Sequence, residues 1–293
     1  MGVADMSDTK AKIGVAIIHG IGQQTPDFCQ YLIDNIKDTL PRIIAENIAF
    51  QPIHWSPVLN DREIELRNRI MPQGIWNPLH KFIIEFLADA VAYPPSRKWV
   101  YRKVHKVFAD GLMELEEKTV QDAPLCIISH SLGTIIASNF IWDIQQEDFS
   151  AYTINPKPDQ TLARGKTMNL FYTMGSPLGL WSLLHGDIDD PSDPIFGTPI
   201  AVPHPKWTHR GRGMINEWVN FYERDDVISY PIKRLNHAYE KVVQDREIYA
   251  GRRLGISGVL PHEAHSGYWD DDEVIKPIAK SLEKTWENLH GFD

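Results

Sequence analysis

Cysteine is nearly missing from this chain: Cys29 and Cys126 are the only two in 293 residues. With Cys126 inside an apolar run, a disulfide framework is excluded, and a reducing, cytoplasmic setting is expected. No uninterrupted apolar stretch of about 18 residues occurs, so no integral membrane segment is expected. Residues 1–11 are polar and acidic and lack the basic-then-apolar layout of a secretory signal, which leaves them as a polar N-terminal tail. Met6 stands where a myristoylation motif requires Ser or Thr. A basic excess is missing too. Lys and Arg number 30 against 39 Asp and Glu, a formal net charge of −9 with both signs interspersed. That balance argues against a nucleic-acid groove and against adsorption to an anionic membrane. Internal repeats, low-complexity tracts and a Pro/Gly/Ser-rich linker are also missing. Residues 12–293 are therefore read as a single domain, long enough to bury a substantial core.

What is present alternates between strand and helix patterns. Residues 12–18 form a nearly continuous apolar run, as expected of a strand covered on both faces, and end in His19-Gly20-Ile21-Gly22. Helical spacing follows through Tyr31, Leu32, Ile36 and Leu40, then a short extended segment at 50–55. Residues 57–119 read mainly as helix. That is more than one crossover needs, so residues 60–95 are assigned as a helical insertion, either a lid or pocket wall or additional core packing. Further strands are expected at 168–174, 217–222 and 241–249, and a terminal helix from about Asp270, whose acidic first turn suits a positive helix terminus. Strands alternating with helices specify a mostly parallel central sheet flanked by helices.

The apolar residues 124–128, the pentapeptide Ser129-His130-Ser131-Leu132-Gly133 and the helix-like residues after it read as strand, sharp turn and helix. In a nucleophile elbow such a turn lifts a serine Oγ above the sheet and aims the next backbone N–H at a developing oxyanion. Ser131 is the candidate nucleophile and Leu132 the N–H donor. The alternative is a buried strand followed by a helix whose serine only caps it. Ser129 occupies the place of the usual first glycine. A serine needs a histidine to take its proton, and the histidine needs a carboxylate to fix its tautomer. In a parallel sheet an acid after 217–222 and a histidine after the last strand would reach the same edge, giving the order Ser131, Asp225, His265.

These motifs, from the early His-Gly through the elbow, Gly175-Ser176-Pro177-Leu178, Arg224-Asp225-Asp226-Val227 and His265-Ser266-Gly267-Tyr268-Trp269, resemble the α/β-hydrolase superfamily, in its serine esterase and lipase-like branch. The resemblance spans residues 12–278 and implies an α/β-hydrolase fold with a catalytic triad. It also implies an oxyanion hole from the N–H groups of Ile21 and Leu132. Related chains commonly carry Asp-Pro-Val at the acid, and matching its valine to Val227 selects Asp225 over the adjacent Asp226. The family's base lies just before the terminal helix, which favours His265 over His262. His130 is expected to pack or to hydrogen-bond behind the site, and His19 to hold the early loop.

The reaction so implied is cleavage of a carboxylic ester through an acyl-serine intermediate. The partner is then a small ester or acyl compound, and an aliphatic pocket from Ile83, Phe86, Leu87 and Trp181 is a further expectation. The same triad also serves an acyltransferase, thioesterase or amidase, and a hydrolase-like scaffold without catalysis is the alternative of another class. No metal or other cofactor is expected. The histidines of His262-Glu263-Ala264-His265 are three apart, not the four of a zinc helix, and His19-Gly20-Ile21-Gly22 lacks the third glycine of a dinucleotide site.

Overall fold

A computed structural model of the chain describes residues 10–22, 24–59, 65, 93, 98–147, 149, 156–182, 200–207, 214–249 and 261–291. In chain order the elements are β1 (Ile13–Ile18), α1 (Gln30–Thr39), α2 (Arg42–Ala45), β2 (Ile48–Ile53), α3 (Lys98–Lys118), β3 (Leu125–His130), α4 (Leu132–Gln145), β4 (Met168–Met174), α5 (Leu178–Trp181), β5 (Glu217–Tyr222), α6 (His237–Val242), β6 (Val243–Glu247), α7 (Pro261–Ser266) and α8 (Asp272–His290). The strands form one sheet in the order β2-β1-β3-β4-β5-β6, and every pairing among them is parallel. All six carboxyl ends therefore lie along one edge, where an open α/β sheet gathers its site.

Strands β1, β3 and β4 are buried at every position, as continuous apolar runs require of strands covered on both faces. Their side chains feed two apolar clusters. Ala16, Ile18 and Ile127 meet Val104, Phe108 and Leu112 of α3 and Ile136 and Phe140 of α4. Val15, Ile17 and Ile128 meet Leu32 and Ile36 of α1 and Ile275, Ile278 and Leu282 of α8 on the opposite face. Helices on both faces make this a doubly wound sheet.

Among the described residues the expected strands and the terminal helix are found, with two differences. The segment 241–249 begins as helix: the Asn236 side chain accepts the N–H groups of Ala238 and Tyr239, which starts α6, and only Val243–Glu247 is strand. The approach to the terminal helix is itself helical, α7 followed by a 3-10 turn at Gly267–Asp270. Helix α8 then starts where Asp271 Oδ1 accepts the Glu273 N–H at 2.7 Å and ends at Gly291, whose φ of 70° suits glycine. Apart from Glu65 and Tyr93, the 60–95 insertion lies outside the described residues, and with it Ile83, Phe86 and Leu87. Tyr93 is buried against α3 and α4, its hydroxyl 2.8 Å from His105 Nε2 and accepting from Asn139 Nδ2 at 3.3 Å. Among the described residues no helix is long and apolar enough to cross a membrane. A groove of about 680 Å³ runs between the β5–β6 edge and α8, and none of the expected site residues lines it.

Candidate active site

The carboxyl end of β1 supplies the first part of the site. The His19 ring is buried, with Nδ1–H donating to the Gly20 carbonyl at 2.8 Å. That leaves Nε2 as acceptor, and it receives the N–H groups of Trp55 at 3.1 Å and Ser56 at 3.4 Å, just beyond β2. The indole N–H of Trp55 returns a bond of 2.9 Å to the His19 carbonyl, and the two rings stack at 5.2 Å. Burial, with His54 adding to it, lowers the His19 pKa to about 3, so the ring is neutral and its two nitrogens keep distinct roles. His19 thus ties the β1 loop to the end of β2, the loop-holding role expected of it.

This loop presses directly against the turn after β3. A Cβ placed on Gly20 would lie 2.4 Å from Ser131 Cβ, and one placed on Gly133 would lie 2.4 Å from the His19 carbonyl oxygen. Glycine is required at both positions because strand loop and helix start share that space. Ser131 adopts φ 54° and ψ −131°, a backbone conformation costly for any side-chain-bearing residue and held by its surroundings. Its N–H donates to the Met174 carbonyl at 2.9 Å. Its carbonyl accepts from the N–H and the hydroxyl of Thr134 at 2.9 and 2.7 Å. With the Thr134 proton so committed, the Ser176 hydroxyl donates to Thr134 Oγ1 at 2.8 Å, which joins the end of β4 to the elbow.

The Ser131 side chain makes no helix-capping bond, and its Oγ is buried with no hydrogen-bond partner among the described residues. A capping serine would have spent its oxygen on the N–H groups of the next turn, so the capping alternative does not hold here. Ser129, the departure from the usual motif, donates its hydroxyl to the Tyr172 carbonyl of β4 at 2.9 Å. Its hydroxyl is satisfied across the sheet.

His265 lies on α7 and is buried. Its Nδ1–H donates to Asp226 Oδ2 at 2.8 Å, which directs Nε2 away from the carboxylate. The carboxylate expected in this pair was Asp225, and the structure moves it one residue on. In the turn after β5 the Asp226 N–H donates to the Glu223 carbonyl at 3.2 Å and the Ser229 N–H to the Asp226 carbonyl at 3.2 Å. These contacts turn the buried Asp226 inward. Asp225 is only partly buried and donates its N–H to Glu223 Oε1 at 3.2 Å. Val227, the residue used for alignment, is 43% exposed and so places no packing constraint on the register.

Two residues behind the pair hold it. His130 Nε2–H donates to the His265 carbonyl at 2.7 Å, with the rings 4.7 Å apart. Burial, and secondarily the neighbouring His265, holds the His130 pKa well below the ordinary histidine value, so it is a neutral donor. Tyr268 donates its hydroxyl to Asp226 Oδ2 at 3.1 Å and accepts the Glu223 N–H at 2.9 Å. Only its place in the His-Ser-Gly-Tyr-Trp string signalled Tyr268 in the sequence. A Cβ on Gly175, where φ is 58°, would lie 3.0 Å from Tyr268 Cε2 and 3.2 Å from both Asp226 Oδ2 and His265 Cε1. The end of β4 therefore touches the His–Asp pair through Gly175 and holds the Ser131 N–H through Met174.

Of the other expected residues, Ile21 and Leu132 are buried beside Gly20 and Ser131 in sequence. Trp181 is buried in the apolar cluster on the α3 and α4 face of the sheet. Cys29 and Cys126 are both free and buried, and burial pushes the Cys29 thiol up to about 12 and Cys126 well above its usual range. Neither is an activated thiolate.

A parallel doubly wound sheet thus bears a serine in a strained strand-to-helix turn, with a histidine–carboxylate pair gathered at the same edge. No family model and no curated protein matches the sequence. Among solved structures, the chain is similar to esterase B from Lactobacillus rhamnosis, at 11% identity and a TM-score of 0.44 over 97% of this chain and 80% of that one. An inhibited form of the same esterase gives 12% identity and a TM-score of 0.42 over 96% and 80%.

Proposed function

We propose that the chain is a serine hydrolase cleaving carboxylic esters, with Ser131 as nucleophile, His265 as general base and Asp226 as the acid that orients it. One observation carries this reading: Ser131 sits in a strained turn with its hydroxyl committed to nothing among the described residues, while the His265 Nδ1–H is already taken by Asp226. In the proposed first step Ser131 Oγ attacks the ester carbonyl as its proton passes to His265 Nε2. The imidazolium formed is stabilised by Asp226, and the oxyanion is received by the N–H groups of Ile21 and Leu132. The proton on Nε2 then goes to the leaving alkoxide, which departs to leave acyl-Ser131. A water activated in the same way releases the acid. Trp181, with Ile83, Phe86 and Leu87, is kept as the proposed wall for the acyl chain.

Hydrolysis of p-nitrophenyl esters of graded chain length tests the reading. Asp226→Asn is expected to lower kcat by about 10³–10⁴-fold, because the amide favours the wrong histidine tautomer. Asp225→Asn is expected to stay within about threefold of wild type, as for a substitution outside the machinery. Loss in Asp225→Asn with Asp226→Asn unimpaired would refute the assignment. A flat rate across chain lengths would remove the acyl wall.

A further inference from the structure

The His265–Asp226 pair has a third member outside the usual trio. Tyr268 is fully buried in the 3-10 turn that follows α7, and its hydroxyl is committed at both ends. The Glu223 N–H donates to it at 2.9 Å, so its own proton goes to Asp226 Oδ2 at 3.1 Å. That is the same oxygen that accepts His265 Nδ1–H at 2.8 Å, while Oδ1 takes the Ile228 N–H at 3.2 Å. Two donors on one oxygen divide its negative charge between them. We propose that Tyr268 is a positioning residue which, through its hydroxyl on Asp226 Oδ2, fixes the carboxylate against His265 and limits how strongly it stabilises the imidazolium. This rests on the hydrolase reading for its effect on rate, though not for its effect on the histidine itself.

The surroundings favour a constant donor. Burial, with the Asp226 charge second, raises the Tyr268 pKa far above its ordinary value, so the phenol keeps its proton throughout any working range. Among the described residues, the titratable or charged groups around the pair come from three places. Asp226 and the buried Glu223 come from the β5 turn, His130 from the elbow and Tyr268 from the 3-10 turn. The guanidinium of Arg224, on the same turn, is spent on Glu247 at 2.7 Å. His130 is neutral, so Tyr268 is the donor that tempers Asp226.

The sign of the effect follows. Removing the hydroxyl leaves a carboxylate with one donor fewer, a stronger partner for the imidazolium, so His265 should hold its proton to higher pH. In Tyr268→Phe the acid limb of the pH–kcat/KM profile is expected to move up by roughly half to one pH unit with KM unchanged. Placing 3-fluorotyrosine site-specifically at 268, a stronger donor of nearly the same shape, is expected to move the limb down. It also serves if the Phe variant folds poorly. Titration of the His265 ring by NMR gives the same shifts without any turnover. An unchanged His265 titration in both variants, with any lost activity tracking lower thermal stability, would overturn the proposal. Shifted titrations in a protein that hydrolyses no ester would retain it and refute the hydrolase reading instead.

Discussion

At the scale of the residue, Ser131 keeps a conformation that its side chain disfavours, and the cost is expected to be measurable. Strain of this kind is worth about 1–3 kcal/mol, and the entropy that glycine loses on folding takes back up to about 1 kcal/mol. Ser131→Gly should therefore be more stable than Ser131→Ala by about 1 kcal/mol in urea unfolding, with both inactive. Equal stability would mean that the turn is not strained. The proposed nucleophile and base, and the small residues around them, were legible in the sequence because they lie near strand ends whose order is dictated by the fold. The carboxylate that His265 meets was legible only to within one residue. Which of Asp226 and Asp225 turns inward depends on turn hydrogen bonds to the Glu223 carbonyl and from the Ser229 N–H, which no apolar periodicity records. The use of Ser129 was hidden for a similar reason, since its partner Tyr172 lies 43 residues away on the neighbouring strand.

At the scale of the element, the loops after β1 and β2 are joined through one neutral ring. His19 is protonated below about pH 6.5 when unfolded but only below about 3 when folded. Between these values the unfolded state binds more protons, so stability is present above 6.5 and is lost as pH falls below it. His105 and His130, both lowered by burial, act in the same direction. From pH 6.5 to 5 His19 is expected to remove up to about 1.4 kcal/mol of unfolding free energy per pH unit. His19→Asn should make that slope shallower by about one proton, and an identical slope in the variant would contradict the buried neutral His19. The buried strands and long helices were readable from apolar period. The start of α6 and the helical character of α7 were not. One depends on the Asn236 cap, five residues before the apolar run that suggested a strand, and the other is only six residues long, too short for a period to show.

At the scale of the molecule, the parallel sheet brings together residues from four places in the chain. His19 and Gly20 follow β1, Ser131 follows β3, Gly175 follows β4 and Asp226 follows β5, while α7 lays His265 across them. No local segment holds the chemistry, so the account stands or falls on whether these residues act as one site in the folded chain. The most direct measurement is reaction of the folded protein with a fluorophosphonate probe, followed by peptide mapping of the modified residue. The account predicts labelling at Ser131, lost in Ser131→Ala and strongly slowed in His265→Ala and Asp226→Asn. A folded wild-type protein that remains unlabelled, or one labelled at another residue, would contradict it.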